Sequence, residues 1–71
     1  DNDEECQAGE SKANFTNKVK IALREARETN YWLRILKELN DNNDESLESL
    51  IKESQELKNI LGAIVVKSNN K

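Results

Sequence analysis

The stretch FTNKVKIALREARETNYWLRIL, residues 15–36, decides the fold of this chain. Its apolar and small side chains recur at alternating steps of four and three residues, the spacing of the a and d positions in a helix that packs against another helix. These residues are Phe15, Val19, Ala22, Ala26, Thr29, Leu33 and Leu36. The pattern predicts one long helix, which we place at about residues 12–39 with Ser11 as its N-cap.

A second apolar stripe lies beside the first when the predicted helix is plotted at about 100° per residue. This outer stripe consists of Ile21, Trp32, Ile35 and Leu39. A hairpin would bury only the first stripe, so the outer stripe needs other helices, from this chain or from another subunit. We interpret the outer stripe as an oligomer interface. The alternative for Trp32, stacking on a nucleotide base, is disfavoured by its apolar neighbours on the stripe.

A second helix follows a short polar connection. The run NDNND at residues 40–44 consists of turn and cap formers, whose side chains bond their own backbone and end the first helix. The a and d spacing then resumes at Leu47, Leu50, Ser54, Leu57, Leu61 and Ile64. It predicts a helix over about residues 45–66, capped by Asp44 or Ser46, in which Gly62 would suit a close helix contact. Two long amphipathic helices joined by a short loop predict an all-α fold, an antiparallel hairpin that is half of a bundle.

The composition agrees with long solvated helices in a single small domain. The 71 residues include no proline and only two glycines, and 35% of them are charged. The net charge of −3 is unevenly distributed, since residues 11–40 carry seven Lys or Arg against three Glu. Residues 1–10 form an acidic lead-in with five Asp or Glu, and we expect further sequence upstream of Asp1. The hairpin therefore occupies residues 11–71, and its first helix is the basic region.

Several function classes are disfavoured by what the sequence lacks. A single cysteine, Cys6, cannot form an internal disulfide, and no run is apolar enough to span a membrane, so we expect a cytoplasmic protein without a membrane partner.

Four glutamates on the two helices invite comparison with carboxylate-bridged metal sites in bundles: Glu25, Glu28, Glu53 and Glu56. Those sites also use histidine, and this chain has none, so we expect no metal or other cofactor. We expect Glu25 and Glu28 to pair instead with Lys or Arg of a neighbouring helix at the subunit contact. No nucleophile has a partner base, which argues against an enzyme.

A basic stripe runs along the side of the first helix opposite the apolar stripes. It consists of Lys20, Arg24, Arg27, Tyr31 and Arg34. Cations spaced along one helix face can hold RNA or DNA phosphates, and a tyrosine among them can stack on a base. The alternative is a solvated face on which Arg24 pairs with Glu28 and Arg34 with Glu38, each four residues apart.

Two runs carry a family resemblance: GESKANF at residues 9–15 and IALREARETNYWL at residues 21–33. They resemble the four-helix-bundle proteins encoded within 23S rRNA intervening sequences. The second helix continues the resemblance at Glu53, Glu56, Leu57, Ile60 and Leu61. The resemblance implies an up-down four-helix bundle of which this chain supplies the last two helices, with residues 2–8 ending the preceding one. It also implies a ring-like homo-oligomer, often a pentamer, and no established activity.

Two hypotheses for the function follow. The first is a non-enzymatic oligomeric bundle whose role is assembly. The second is a nucleic-acid-binding accessory protein that uses the basic stripe, because a similar bundle serves diversity-generating retroelements in that way.

Overall fold

The structure is a computed structural model, and it describes residues 11–40 and 44–69 of the chain. These residues form two helices, α1 (Ser11–Leu39) and α2 (Glu45–Asn69), and contain no strand. The helices pack against each other as an antiparallel hairpin, so the predicted all-α hairpin is confirmed. Helix α2 continues three residues beyond the predicted end at 66. The acidic lead-in, residues 1–10, and the proposed cap at the Ser11 side chain lie outside the described residues.

Local hydrogen bonds explain where α1 ends and α2 begins. The Asn40 amide donates to the carbonyls of Leu36 and Lys37, at 3.0 and 3.3 Å, and closes the last turn of α1. At the start of α2, the Asp44 carboxylate accepts bonds from the amides of Ser46 (2.9 Å) and Leu47 (3.3 Å). Of the two candidate caps, the structure thus selects Asp44, which satisfies amides that the helix itself leaves unpaired.

The seam between the helices differs from the predicted one. On α1 the buried residues are Val19, Leu23, Ala26 and Asn30. They face the buried Ser54 of α2 and half-buried residues along the same side of that helix, Leu47, Ile51, Lys58, Leu61 and Val65. Four members of the predicted a and d stripe are instead exposed, namely Phe15, Ala22, Thr29 and Leu36.

The difference amounts to a rotation of α1 by about 60° around its axis. Its apolar sector is wider than one helix contact can cover, because both apolar stripes and Leu23 belong to it. Spacing alone therefore allowed two overlapping seams, and the structure uses the one that brings Asn30 to Ser54.

The hairpin by itself has a very small core. Among the described residues only three hydrophobic side chains are buried, those of Val19, Leu23 and Ala26, and no large side chain is completely enclosed. The molecule measures only 14 Å in its thinnest direction, which is one layer of helices. Because a stable domain needs at least two packed layers around its core, one face of this layer is available for further packing.

Candidate interaction surfaces

An open apolar groove runs along one face of the hairpin, between α1 and α2. Helix α1 contributes Ala22, Ala26, Thr29 and Leu33, and helix α2 contributes Leu50, Leu57, Ile60 and Leu61. Leu50, Leu57 and Ile60 are each about half exposed, at 49%, 48% and 57%. The groove thus collects side chains that the sequence analysis had assigned to the hairpin seam.

The seam contains polar groups among its apolar side chains. Buried Asn30 and Ser54 lie at its centre, the half-buried Lys58 lies one turn further along α2, and an ion pair joins Lys37 to Glu48 at 2.8 Å near the loop. The hairpin therefore buries part of its polar surface while Leu50 and Leu57 stay about half exposed in the groove.

Carboxylates border the groove on both helices. Glu25 of α1 and Glu53 and Glu56 of α2 contribute to its walls, and all three are exposed. Within residues 11–40 and 44–69, the Lys37–Glu48 contact is the one ion pair, so none of these glutamates is paired with a cation there. No group of three potential ligands in the described part of the chain is arranged to hold a metal ion.

The outer stripe lies on the exposed surface of α1. Ile21, Trp32 and Leu39 are 53%, 58% and 79% exposed, whereas Ile35 is half-buried. The indole of Trp32 packs edge to face against the Tyr31 ring, with centroids 5.3 Å apart and an interplanar angle of 72°. Three of the four predicted interface residues thus lie on surface that the hairpin leaves exposed, and whether they form an interface stays a prediction.

All five residues of the basic stripe are exposed: Lys20, Arg24, Arg27, Tyr31 and Arg34. Their positions extend over about 21 Å of helix at ~1.5 Å per residue. The expected pairs of Arg24 with Glu28 and of Arg34 with Glu38 do not form between these described residues. The cations of the stripe are therefore accessible, and both interpretations, a solvated face and a nucleic-acid contact, stay predictions.

A polar contact at the seam was not anticipated from the sequence. Asn30, at 2% exposure, donates its Nδ2 hydrogen to Ser54 Oγ at 2.8 Å. The signal was present, because Val19, Leu23, Ala26, Asn30 and Leu33 also follow steps of four and three. Asn30 is the polar residue of that alternative stripe. A polar residue in the middle of a stripe is less typical of a buried helix contact than an uninterrupted apolar stripe.

Neither described helix is long and apolar enough to cross a membrane. The model of one protein family, described as 23S rRNA-intervening sequence protein, matches residues 1–63. Neither a curated protein nor a solved structure is similar enough to the chain to count as a match.

Proposed function

The chain belongs to the 23S rRNA-intervening sequence protein family, and from that premise we propose that its function is assembly. The hairpin is half of an up-down four-helix bundle that forms a homo-oligomer and has no enzymatic activity. The observation that carries this proposal is the apolar groove, in which Leu50, Leu57 and Ile60 are each about half exposed.

The energetics favour closure of the groove by further helices. Complete burial of a leucine or isoleucine side chain contributes about 1.5–3 kcal/mol relative to full exposure. Leu50, Leu57 and Ile60 each have about half of that still to gain, so together they offer a few kcal/mol. This is comparable with the net stability of a small domain, roughly 5 kcal/mol or more.

The outer stripe supplies a second contact, between subunits. It lies on the side of α1 away from α2, so helices that fill the groove would leave part of it uncovered. We propose that Ile21, Trp32, Ile35 and Leu39 meet a neighbouring subunit, which generates the homo-oligomer, a pentamer by likeness to the family. The acidic border of the groove would then find Lys or Arg partners on the added helices.

Paired charge substitutions on α2 test the proposal. Leu57→Glu places a carboxylate in the groove, whereas Asn59→Glu places the same charge on an exposed position two residues away. We expect light scattering after size exclusion to show a smaller assembly for Leu57→Glu and an unchanged one for Asn59→Glu, because only the first buries a charge on assembly. Equal masses for the two variants would contradict a role for the groove.

A second candidate function, nucleic-acid binding, is favoured by the accessible cations of the basic stripe. In the described part of the chain, Arg24, Arg27 and Arg34 have no anionic partner that an RNA or DNA phosphate would need to displace. One copy of the stripe would bind weakly, since the whole chain carries a net charge of −3. Several copies in one oligomer would strengthen the contact by raising the effective concentration.

A further inference from the structure

The hydrogen bonds at the centre of the seam form a small closed network. Asn30 Nδ2 donates to Ser54 Oγ at 2.8 Å and lies 3.4 Å from the Ile51 carbonyl oxygen. The Ser54 hydroxyl in turn donates to the same carbonyl at 2.9 Å. Asn30 is 2% exposed and Ser54 is 8% exposed, so water does not compete freely for these groups.

Apolar burial alone does not determine which face of α1 meets α2. The apolar sector of α1, from Leu23 around to Leu39, extends over about 200° of the helix. A rotation of about 60° would bring the predicted a and d stripe into the seam, with Thr29 and Leu36 replacing Leu23 and Asn30. That arrangement would bury at least as much carbon and would close part of the groove.

The polar network discriminates between these arrangements because hydrogen bonds are directional. In the observed rotation the Asn30 amide meets the Ser54 hydroxyl, whereas the rotated helix would lose that bond. A slip of one heptad would place Asn30 opposite Leu47 or Leu61 and leave a buried amide unpaired. Buried polar residues in helical assemblies are known to specify register and pairing in this way.

We infer that Asn30 and Ser54 form a pairing lock, which fixes the face that α1 presents to α2 and so keeps the apolar groove open. The lock itself is a property of the hairpin. Its consequence, a groove free for other helices, rests on the proposed function.

Thiol labelling at two seam positions tests the lock. With Cys6 replaced by serine, Leu23→Cys and Val19→Cys each place one thiol in the seam. Val19 belongs to both possible seams and stays protected in either, whereas position 23 becomes exposed if α1 rotates. The ratio of the labelling rates at the two positions therefore reports rotation separately from overall stability.

Ser54→Ala should raise this ratio, because it removes the short hydrogen bond of the buried Asn30 amide, leaves it only the 3.4 Å contact with the Ile51 carbonyl, and so favours the rotated helix. The expected increase is between about fivefold and about 150-fold, the range for an unpaired buried polar group. Ser54→Thr retains the hydroxyl and should keep the ratio of the unmodified protein. If Ser54→Ala loses its helical circular dichroism, Asn30→Ala replaces it, with an increase again expected.

An unchanged ratio in a folded Ser54→Ala or Asn30→Ala variant would overturn the lock, as would an equal increase in Ser54→Thr. So would unfolding of both alanine variants, because a pure stability role would then explain the network. The ratio compares two positions of the same hairpin in whatever assembly the protein forms, so it reports the rotation of α1 and not the number of subunits. A monomeric protein would therefore reject the proposed function without affecting the lock, and the reverse also holds.

Discussion

At the scale of single residues, the burial of two leucines differs from what the sequence pattern indicates. Leu23 was outside both predicted stripes and is 8% exposed, whereas Leu39 was assigned to the outer stripe and is 79% exposed. Both are leucines of α1, so the same substitution at each position compares the seam with the surface of the hairpin.

We expect Leu23→Ala to lower the free energy of unfolding by about 2–5 kcal/mol, because it leaves a cavity in the seam. Leu39→Ala should change it by no more than about 0.5 kcal/mol in the hairpin, where little of its surface is lost from water. Urea unfolding followed by circular dichroism measures both changes. A loss for Leu23→Ala no larger than that of a surface substitution would contradict its burial in the seam. A large loss for Leu39→Ala in the assembled protein would support the proposed subunit contact of Leu39.

At the scale of the helices, the sequence predicted the elements well and their contact less well. Two helices and a polar connection followed from apolar periodicity and from the NDNND run, both of which are local signals. The rotation of α1 depended on one distant contact, between Asn30 and Ser54, which no local signal contains. The two surfaces differ in the same way. The exposed basic stripe could be predicted from residue spacing alone. The apolar groove could not, because the same spacing assigns its residues to the contact between the two helices.

Gly62 in α2 is a second case in which a local sequence signal does not identify a helix contact. A glycine inside a helix suggested a close helix contact, but a Cβ atom at position 62 would meet nothing within 4 Å in the hairpin. Gly62→Ala should therefore stabilise the hairpin by up to ~1 kcal/mol, because alanine favours the helix. Thermal unfolding at a concentration that keeps the protein folded measures this effect. A loss of stability in place of a gain would show that another helix approaches Gly62 in the assembly.

At the scale of the whole molecule, the hairpin has two faces of different character. The groove face is apolar with a carboxylate border, and the basic stripe lies on the opposite flank of α1. An assembly that closes the groove would leave the stripe in solvent on every subunit. Assembly and nucleic-acid binding are therefore compatible functions, which use separate surfaces.

Replacing Arg24, Arg27 and Arg34 together by glutamine tests the basic stripe. If the protein binds nucleic acid there, its affinity should fall about equally for unrelated sequences and its salt dependence should become shallower, because phosphate contacts release counterions without reading bases. Mobility shifts at low and moderate salt are the measurement. The matched control replaces the exposed Lys12, Lys52 and Lys67 by glutamine, which changes the net charge equally and should weaken binding less. Failure of the unmodified protein to retard RNA or DNA even at low salt would reject this function.

The central claim, that the apolar groove is covered by helices outside this hairpin, is tested most directly by sedimentation equilibrium of the unmodified protein across a dilution series. A hairpin with only three buried hydrophobic residues in its described part should not persist alone. We expect a mass that is a multiple of the mass of one protein chain and falls on dilution only together with the helical circular dichroism. A folded monomer that retains its helical signal at every concentration would contradict this assembly.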